Sequence, residues 1–377
     1  MKTRRVTPAD LKLGMLLPWN VYGENGALLV RKGHMIASAN QIDYLVERGT
    51  FEDDSIPVQE VREPDSVLRK LNQVHLQLQA LLQGIAARAA PSDARRRLED
   101  LGVMVEEAVA LNAEVAIASV LHNQQAAPYA VRHSVDTAVV AQVAARALKL
   151  PAPQRMALTL AALTMNVGML EQHERLHEAS GSLSDADQAR MRAHPELGVA
   201  LLKQAGVSDP DWLDGVLYHH ENEDGSGYPR GKAGAQIPVV AKLIALADRY
   251  CARVSERSYR KPMLPNAALR DILLEKNTLD GQLAAVLIRE LGIYPIGTYV
   301  RLLNGEIGVV SRKGLQSTTP HVESIVGPRG APLDVFLQRD TTKGDLNGIR
   351  EVLSTAQVSA LRPPLRMEQI WGRVAAS

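Results

Sequence analysis

The stretch that decides the fold is YHHENEDGSGYPRG, residues 218–231. Its first four residues close a helical run, because the glycines around Ser226, followed by Pro229, cannot continue a helix. His219 and His220 are therefore placed at a helix end, beside a glycine-permissive loop. Neighbouring histidines point in different directions, so both serve one site only where that site wraps the helix end. A metal does this readily, since neutral imidazole is its commonest protein ligand.

An isolated His-His pair is more often two partly buried histidines stabilised by a helix dipole. This pair is not isolated, because its loop resembles the hallmark of the HD-GYP family, which is HHE, two residues and DGxGYP. All these letters are present from His219 to Pro229, and the resemblance continues through IPVVAKLIALADRY (237–250) and RSYRKP (257–262). The resemblance implies an HD-type helical bundle that hydrolyses cyclic di-GMP with two or three metal ions, often iron or manganese.

The resemblance also implies a scattered set of metal ligands. An early histidine, a histidine in an HPE context, the HH pair and a late aspartate match five positions of this chain: His133, His194, His219, His220 and Asp248. From residue type alone, a single histidine on an apolar helix face is more often a core residue. The late aspartate lies in the apolar run LIALADRYCA, where a carboxylate is costly to bury unless a cation compensates it.

The chain departs from the family at the HD pair itself. Where the family has L-H-D-I-G-K, residues 164–169 are TMNVGM, so Met165, Asn166 and Met169 replace histidine, aspartate and lysine. Asparagine has one neutral carbonyl oxygen and cannot bridge two cations as the aspartate does. A thioether is poorly matched to manganese or ferrous iron. We therefore expect at most one divalent metal, iron or manganese, with lost or reduced hydrolysis and no assigned catalytic residue; absence of any metal stays an alternative.

His173 and His177 lie downstream at i, i+4 spacing, which can bind a metal. Their neighbours are charged, and charge-rich helix faces are usually exposed, so a solvated helix face is the preferred interpretation.

Two further segments are candidates for binding. The run Arg257, Tyr259, Arg260 and Lys261 matches a basic family motif, and arginine offers a bidentate fork for phosphate. On residue type alone, a basic cluster on the protein surface is an equally good interpretation of this run. The intact loop is a candidate ligand or partner surface through Asp224, Gly225, Gly227, Tyr228 and Pro229.

Composition narrows the class of protein. A length of 377 residues predicts two or three domains, and the net charge of +1 argues against a nucleic-acid surface. The single cysteine, Cys251, fits a reducing compartment. No apolar run reaches the roughly 18 residues that a membrane span needs. These features predict a cytoplasmic signalling protein without a membrane span.

The chain order predicts a mainly α protein with four parts. Residues 1–62 form a small mixed α/β domain for regulation or interaction, with a turn at 23–26 between apolar runs at 14–17 and 27–30. Residues 63–122 form a helical linker or stalk, residues 123–291 an HD-type helical bundle, and residues 292–377 a β-rich unit with a hairpin at Asn304-Gly305.

Three functions fit these expectations. The chain is a degenerate family member that binds cyclic di-GMP or a signalling partner without hydrolysis, an active metal-dependent phosphodiesterase, or a protein-interaction scaffold. We prefer the first because of the replaced HD pair. Partner binding through the loop or the N-terminal domain, and a homodimer, are compatible with all three.

Overall fold

The computed structural model describes residues 3–52, 65–178, 184–256, 261–275 and 277–377. The chain divides into two compact units, Met1–Glu63 and Pro64–Ser377. The second is a mainly helical core with an antiparallel sheet near its C-terminus, and the first contains a small sheet and one helix, which confirms the predicted fold class. The boundaries between the four predicted parts stay a prediction.

The N-terminal unit is a four-stranded antiparallel sheet with one helix, α1 (Ala39–Arg48). Ser38 caps α1 by accepting the Gln41 N–H, as its position in the sequence predicts. The strands are β1 (Thr3–Arg5), β2 (Val21–Tyr22), β3 (Leu28–Val30) and β4 (Thr50–Glu52), in the order β1-β4-β2-β3.

The predicted hairpin turn at residues 23–26 is present, with the Gly23 N–H donating to the Ala27 carbonyl oxygen. The prediction of its first strand is wrong, because β2 rather than residues 14–17 precedes the turn. Residues 14–17 contribute only an isolated bridge between Leu16 and Met35. Pro18, which has no backbone N–H, follows and prevents a longer ladder there.

The second unit begins with helices, as its apolar periodicity predicts. Those that build the bundle are α2 (Val67–Ala86), α3 (Ala94–Leu111), α4 (Ala113–His122), α5 (Tyr129–Ala147), α6 (Ala152–Thr164), α7 (Leu170–Glu178), α8 (Asp185–Gln204), α9 (Pro210–Tyr218), α10 (Val239–Val254), α11 (Pro265–Leu274) and α12 (Gly281–Leu291). The apolar run of residues 98–120 is split at Asn112, whose side chain accepts the Val115 N–H and starts a new helix.

Helix α5 is the centre of the bundle. Its residues from Tyr129 to Ala145 are all buried, and α6 and α10 pack along it. The hairpin of α2 and α3 shares one continuous apolar core with these helices. Because α5 is covered on every side, its polar side chains, His133 among them, are held inside the bundle.

The C-terminal part is a five-stranded antiparallel sheet. Its elements are β5 (Tyr299–Leu302), β6 (Ile307–Arg312), β7 (His321–Val326), β8 (Pro332–Asp340), α13 (Gly344–Asn347), β9 (Ile349–Leu353), α14 (Thr355–Ser359) and α15 (Glu368–Trp371). The strand order is β8-β7-β6-β5-β9. The predicted Asn304-Gly305 turn joins β5 and β6, and Gly305 has φ +88°. None of the described helices is long and apolar enough to cross a membrane.

Candidate metal centre

The two adjacent histidines leave the end of α9, which is fixed inside the bundle. Asp209 caps the first turn of α9. Gly215 brings this helix close to α6, since an added Cβ would lie 2.7 Å from the Ala161 Cβ. The last turn of α9 therefore directs His219 into the interior, where it is 1% exposed, and leaves His220 half-buried beside it.

His194 approaches the pair from α8. It is fully buried and lies against the short 3-10 turn Val167–Met169 that follows α6. A Cβ added to Gly168 in this turn would overlap the His194 carbonyl oxygen. Glycine is required here by packing, which explains why the replaced HD motif still contains it.

The rings of His194 and His219 meet through their Nε2 atoms, which are 3.2 Å apart. The Nδ1 atom of His194 lies 2.6 Å from the Met191 carbonyl oxygen, and that of His219 lies 2.7 Å from the Val216 carbonyl oxygen. A carbonyl oxygen only accepts, so each Nδ1 carries the proton. In the neutral rings, both facing Nε2 atoms then have lone pairs and no hydrogen.

His220 completes a compact group. One ring nitrogen of each of His194, His219 and His220 lies within 4.8 Å of the other two. The ring of His220 stacks on the Tyr228 ring at 4.7 Å, and the Arg192 guanidinium lies 5.1 Å from the centre of the Tyr228 ring. The loop tyrosine thus fixes the orientation of the outermost histidine.

His133 and Asp248 form a separate pair. The Nε2 atom of His133, on α5, lies 2.6 Å from Oδ1 of Asp248, on α10. Burial alone would raise the pKa of Asp248, but the hydrogen bond from His133 and the neighbouring histidines hold this pKa well below its usual range. Burial and the neighbouring His219 lower the pKa of His194 to about 3.

The five predicted ligands therefore come together, but as two groups. Asp248 is near enough for its charge to favour the protonated forms of His194, His219 and His220. Its carboxylate nevertheless lies outside the compact group of three nitrogens.

The residues that replace the HD pair are packed as core. Met165 is fully buried and Asn166 is 4% exposed. Met169 is half-buried and lines a separate cavity of about 920 Å³ between α2, α5, α7 and α8, which none of the five ligand candidates lines.

The interpretation of His173 and His177 as part of a solvated face is wrong, because both are half-buried. The ring of His177 stacks on Tyr129 at 4.0 Å. Tyr129 in turn stacks on His133 at 5.3 Å, and His173 meets that histidine edge-on at 5.4 Å. Helix α7 therefore covers the His133 side of the centre.

Sequence reasoning also missed the residue that docks α7. Glu174 accepts the backbone N–H groups of Tyr129 and Ala130, at 3.1 and 2.9 Å. These groups belong to the first turn of α5, whose own cap position is Pro128 and offers no side-chain acceptor. A carboxylate at a helix N-terminus stabilises the helix. Glu174 lies about 45 residues from the N–H group of Tyr129, so no local sequence pattern predicts this cap.

The loop after the histidines is closed by Glu221. This side chain is 3% exposed, and its two oxygens accept the N–H groups of Arg230 at 2.7 Å and Lys232 at 2.9 Å. Gly227 then lies so close that an added Cβ would meet the backbone of residues 220–222. The glutamate of HHE is thus a latch that folds the loop back onto the histidines.

A family model described as the HD domain matches residues 104–283. The chain contains an HD domain. This domain is homologous to HD-GYP cyclic di-GMP phosphodiesterases. The match includes all five ligand candidates and the loop.

Among curated proteins, the chain is similar to a cyclic di-GMP phosphodiesterase of Pseudomonas aeruginosa, with 32% identity over 57% of this chain and 52% of the relative. It is also similar to a 3'3'-cGAMP-specific phosphodiesterase of Vibrio cholerae, with 31% identity over 45% of this chain and 36% of the relative. The chain thus spans about half of the first relative's length and about a third of the second's.

Among solved structures, the fold is similar to that of an HDG"Y"P protein from Bdellovibrio bacteriovorus. The TM-score is 0.51 at 16% identity, over 76% of this chain and 98% of the other. At this identity, the likeness supports the fold alone.

The predicted phosphate-binding run follows α10 of the HD domain. Arg257, Tyr259 and Arg260 lie outside the described residues, and Lys261 is exposed. In the loop, Asp224 accepts the Ser226 N–H at 2.9 Å and Gly225 has φ +78°.

Proposed function

We propose that the HD domain of this protein binds cyclic di-GMP and hydrolyses it weakly or not at all. The observation that carries the proposal is the environment of Asn166. The neutral amide is buried beside the turn that packs on His194, where the family has its metal-bridging aspartate. The compact group of potential ligand atoms consists of three imidazoles and contains no carboxylate. This donor set fits one divalent ion and lacks the bridging anion that holds two.

We propose that His194, His219 and His220 hold that ion. The facing lone pairs of His194 and His219, and the hydrogen bonds of their Nδ1 atoms to backbone carbonyls, are the usual arrangement of metal-bound histidines. A bound ion supplies a positive charge for a phosphate oxygen. His133 and Asp248 form a hydrogen-bonded pair beside it, and α7 covers that side.

Ligand recognition is assigned to the surroundings of the histidines. Arg257, Tyr259, Arg260 and Lys261 supply phosphate donors, and the latched loop with Gly225, Gly227, Tyr228 and Pro229 supplies shape. Charge-assisted hydrogen bonds contribute roughly 1.5–3 kcal/mol each. The cytoplasmic location expected from the composition belongs to the same proposal.

Calorimetry with cyclic di-GMP and a hydrolysis assay test the proposal together. Wild-type protein should bind the nucleotide with negligible turnover, and Arg260→Ala should weaken binding by about tenfold or more. The double variant Met165→His/Asn166→Asp restores the two family residues and should gain turnover. Absence of binding at high nucleotide concentration would contradict the proposal.

An active phosphodiesterase is the second candidate, favoured by the intact group of three histidines. Turnover in wild type comparable with an intact relative, abolished by His219→Ala and His220→Ala, would establish it. The assay should include 3'3'-cGAMP, because one relative is named for that substrate. A protein-interaction scaffold would lead if neither nucleotide binds.

A further inference from the structure

We propose that the metal centre of this chain is a nitrogen-only site that selects Zn²⁺ over Mn²⁺, and that His133 and Asp248 do not coordinate the ion. The inference rests on the proposed function, because it concerns the single metal assigned there to His194, His219 and His220. It adds the identity of the ion and separates the ligands from the pair beside them.

The first argument is the contact between His194 and His219. Their Nε2 atoms are 3.2 Å apart, and both Nδ1 protons are used by carbonyl oxygens. A hydrogen bond between the two Nε2 atoms would require a doubly protonated, charged ring. Both rings are at most 1% exposed, and a charged ring is costly to bury in such a place. A divalent cation uses both lone pairs at once.

The second argument is the chemistry of the donors. Imidazole suits zinc, copper, iron and nickel, whereas manganese and magnesium favour carboxylate, carbonyl and water oxygens. The described residues offer three imidazole nitrogens within 4.8 Å of one another and no carboxylate in the same group. Three protein ligands plus one open position are the usual coordination of a catalytic zinc site.

The third argument is that one oxygen of the nearby carboxylate is already engaged. Oδ1 of Asp248 accepts from His133 at 2.6 Å. The ring of that histidine also stacks on the Tyr129 ring, and His173 meets it edge-on. Moving His133 to a metal would break this packing. At the position of the missing bridging aspartate, Asn166 offers only a neutral oxygen.

Competition titration of metal-free full-length protein tests the selectivity. Zn²⁺ should bind with one equivalent and about a hundredfold or more tighter than Mn²⁺, since the donor set carries the preference. Co²⁺ serves as a spectroscopic probe and should give the visible bands of a four-coordinate site. Asn166→Asp adds a carboxylate and should narrow the gap between the two metals.

Variants test the assignment of ligands. His219→Gln and His220→Ala should each weaken Zn²⁺ binding by about a hundredfold or more, because even outer-shell partners contribute roughly 10–100-fold. His133→Gln should change it by less than about tenfold. His34→Gln, on an exposed residue of the N-terminal unit, is the control for adventitious binding. Circular dichroism confirms that each variant is folded.

The outcomes are separable from those for the proposed function. Mn²⁺ binding within about tenfold of Zn²⁺, or a loss in His133→Gln as large as in His219→Gln, overturns the inference while leaving nucleotide binding intact. Absence of any metal binding overturns the inference together with the metal part of the proposed function, and calorimetry with cyclic di-GMP then decides the remainder.

Discussion

The two halves of the centre differ in what their residues do. From His219 to Pro229 every letter of the family hallmark is present, and the structure uses them together: two histidines face the site and Glu221 latches the loop around them. In residues 164–169 only Gly168 matches, and its neighbours Met165 and Asn166 are buried. The first half has the geometry of a site, whereas the second has the packing of a core. The comparison suggests that ligand binding and hydrolysis depend on different halves.

The strongest test of the first half is Glu221→Ala. Two charge-assisted hydrogen bonds from backbone N–H groups to the buried Glu221 carboxylate are lost, so the free energy of unfolding should fall by about 3 kcal/mol or more. Denaturant unfolding of metal-free protein measures it. Glu221→Gln should be intermediate, because its amide oxygen accepts only one of the two N–H groups.

Glu171→Gln is the control for this prediction, since Glu171 is exposed on α7. If Glu221→Ala is as stable as this control, the contact of Glu221 with the loop is not needed for folding. The intact half would then be explained by ligand or partner binding alone, and the comparison between the halves would be sharper.

Gly168→Ala tests the second half. The new Cβ overlaps the His194 carbonyl oxygen, so α8 or the turn must move. Forcing extra volume into a packed core costs typically 1–3 kcal/mol, and a comparable loss of unfolding free energy is expected. Metal affinity should fall as well, because His194 moves with its helix.

Gly281→Ala is the matched control, since an added Cβ there meets nothing within 4 Å. A Gly168→Ala variant with unchanged stability and metal binding would show that the turn is loosely packed. The assignment of the second half as core would then be wrong.

Much of the fold follows from local sequence patterns. Apolar periodicity predicted the helices, and the Asn304-Gly305 dipeptide predicted the hairpin of the C-terminal sheet. The candidate metal centre was reached through the loop hallmark rather than through periodicity. His133 illustrates this, because alone on an apolar face it has no feature that separates it from a core histidine.

The features that were missed depend on partners distant in sequence. The half-burial of His173 and His177 requires Tyr129, which lies on another helix. Strand β9 was not predicted, and it pairs with β5 about 50 residues earlier. The division of the five ligands into a group of three and a pair is likewise a matter of side-chain geometry, which residue spacing does not contain.

Glu174→Gln tests whether α7 belongs to the centre. The carboxylate accepts two N–H groups in the first turn of α5, and loss of a helix cap costs about 0.5–2 kcal/mol. A decrease near 1 kcal/mol is expected, together with faster hydrogen exchange of the Tyr129 and Ala130 amides. Unchanged exchange at those amides would show that α7 does not cap α5 in solution.

Arg192→Ala is the smallest expected effect and concerns the contact between α8 and the loop. The guanidinium of Arg192 lies 5.1 Å from the ring centre of Tyr228, and that ring stacks on His220. An exposed cation–π contact contributes about 0.5–1 kcal/mol, so global stability should change little. If the contact holds His220 in place, Zn²⁺ affinity should fall by roughly two- to fivefold.

Arg190→Ala is the control, because Arg190 is exposed on the same helix and lines the separate cavity. Equal zinc affinities in the two variants would mean that the loop positions Tyr228 without help from α8, and that the first half of the centre is built by residues 219–232 alone.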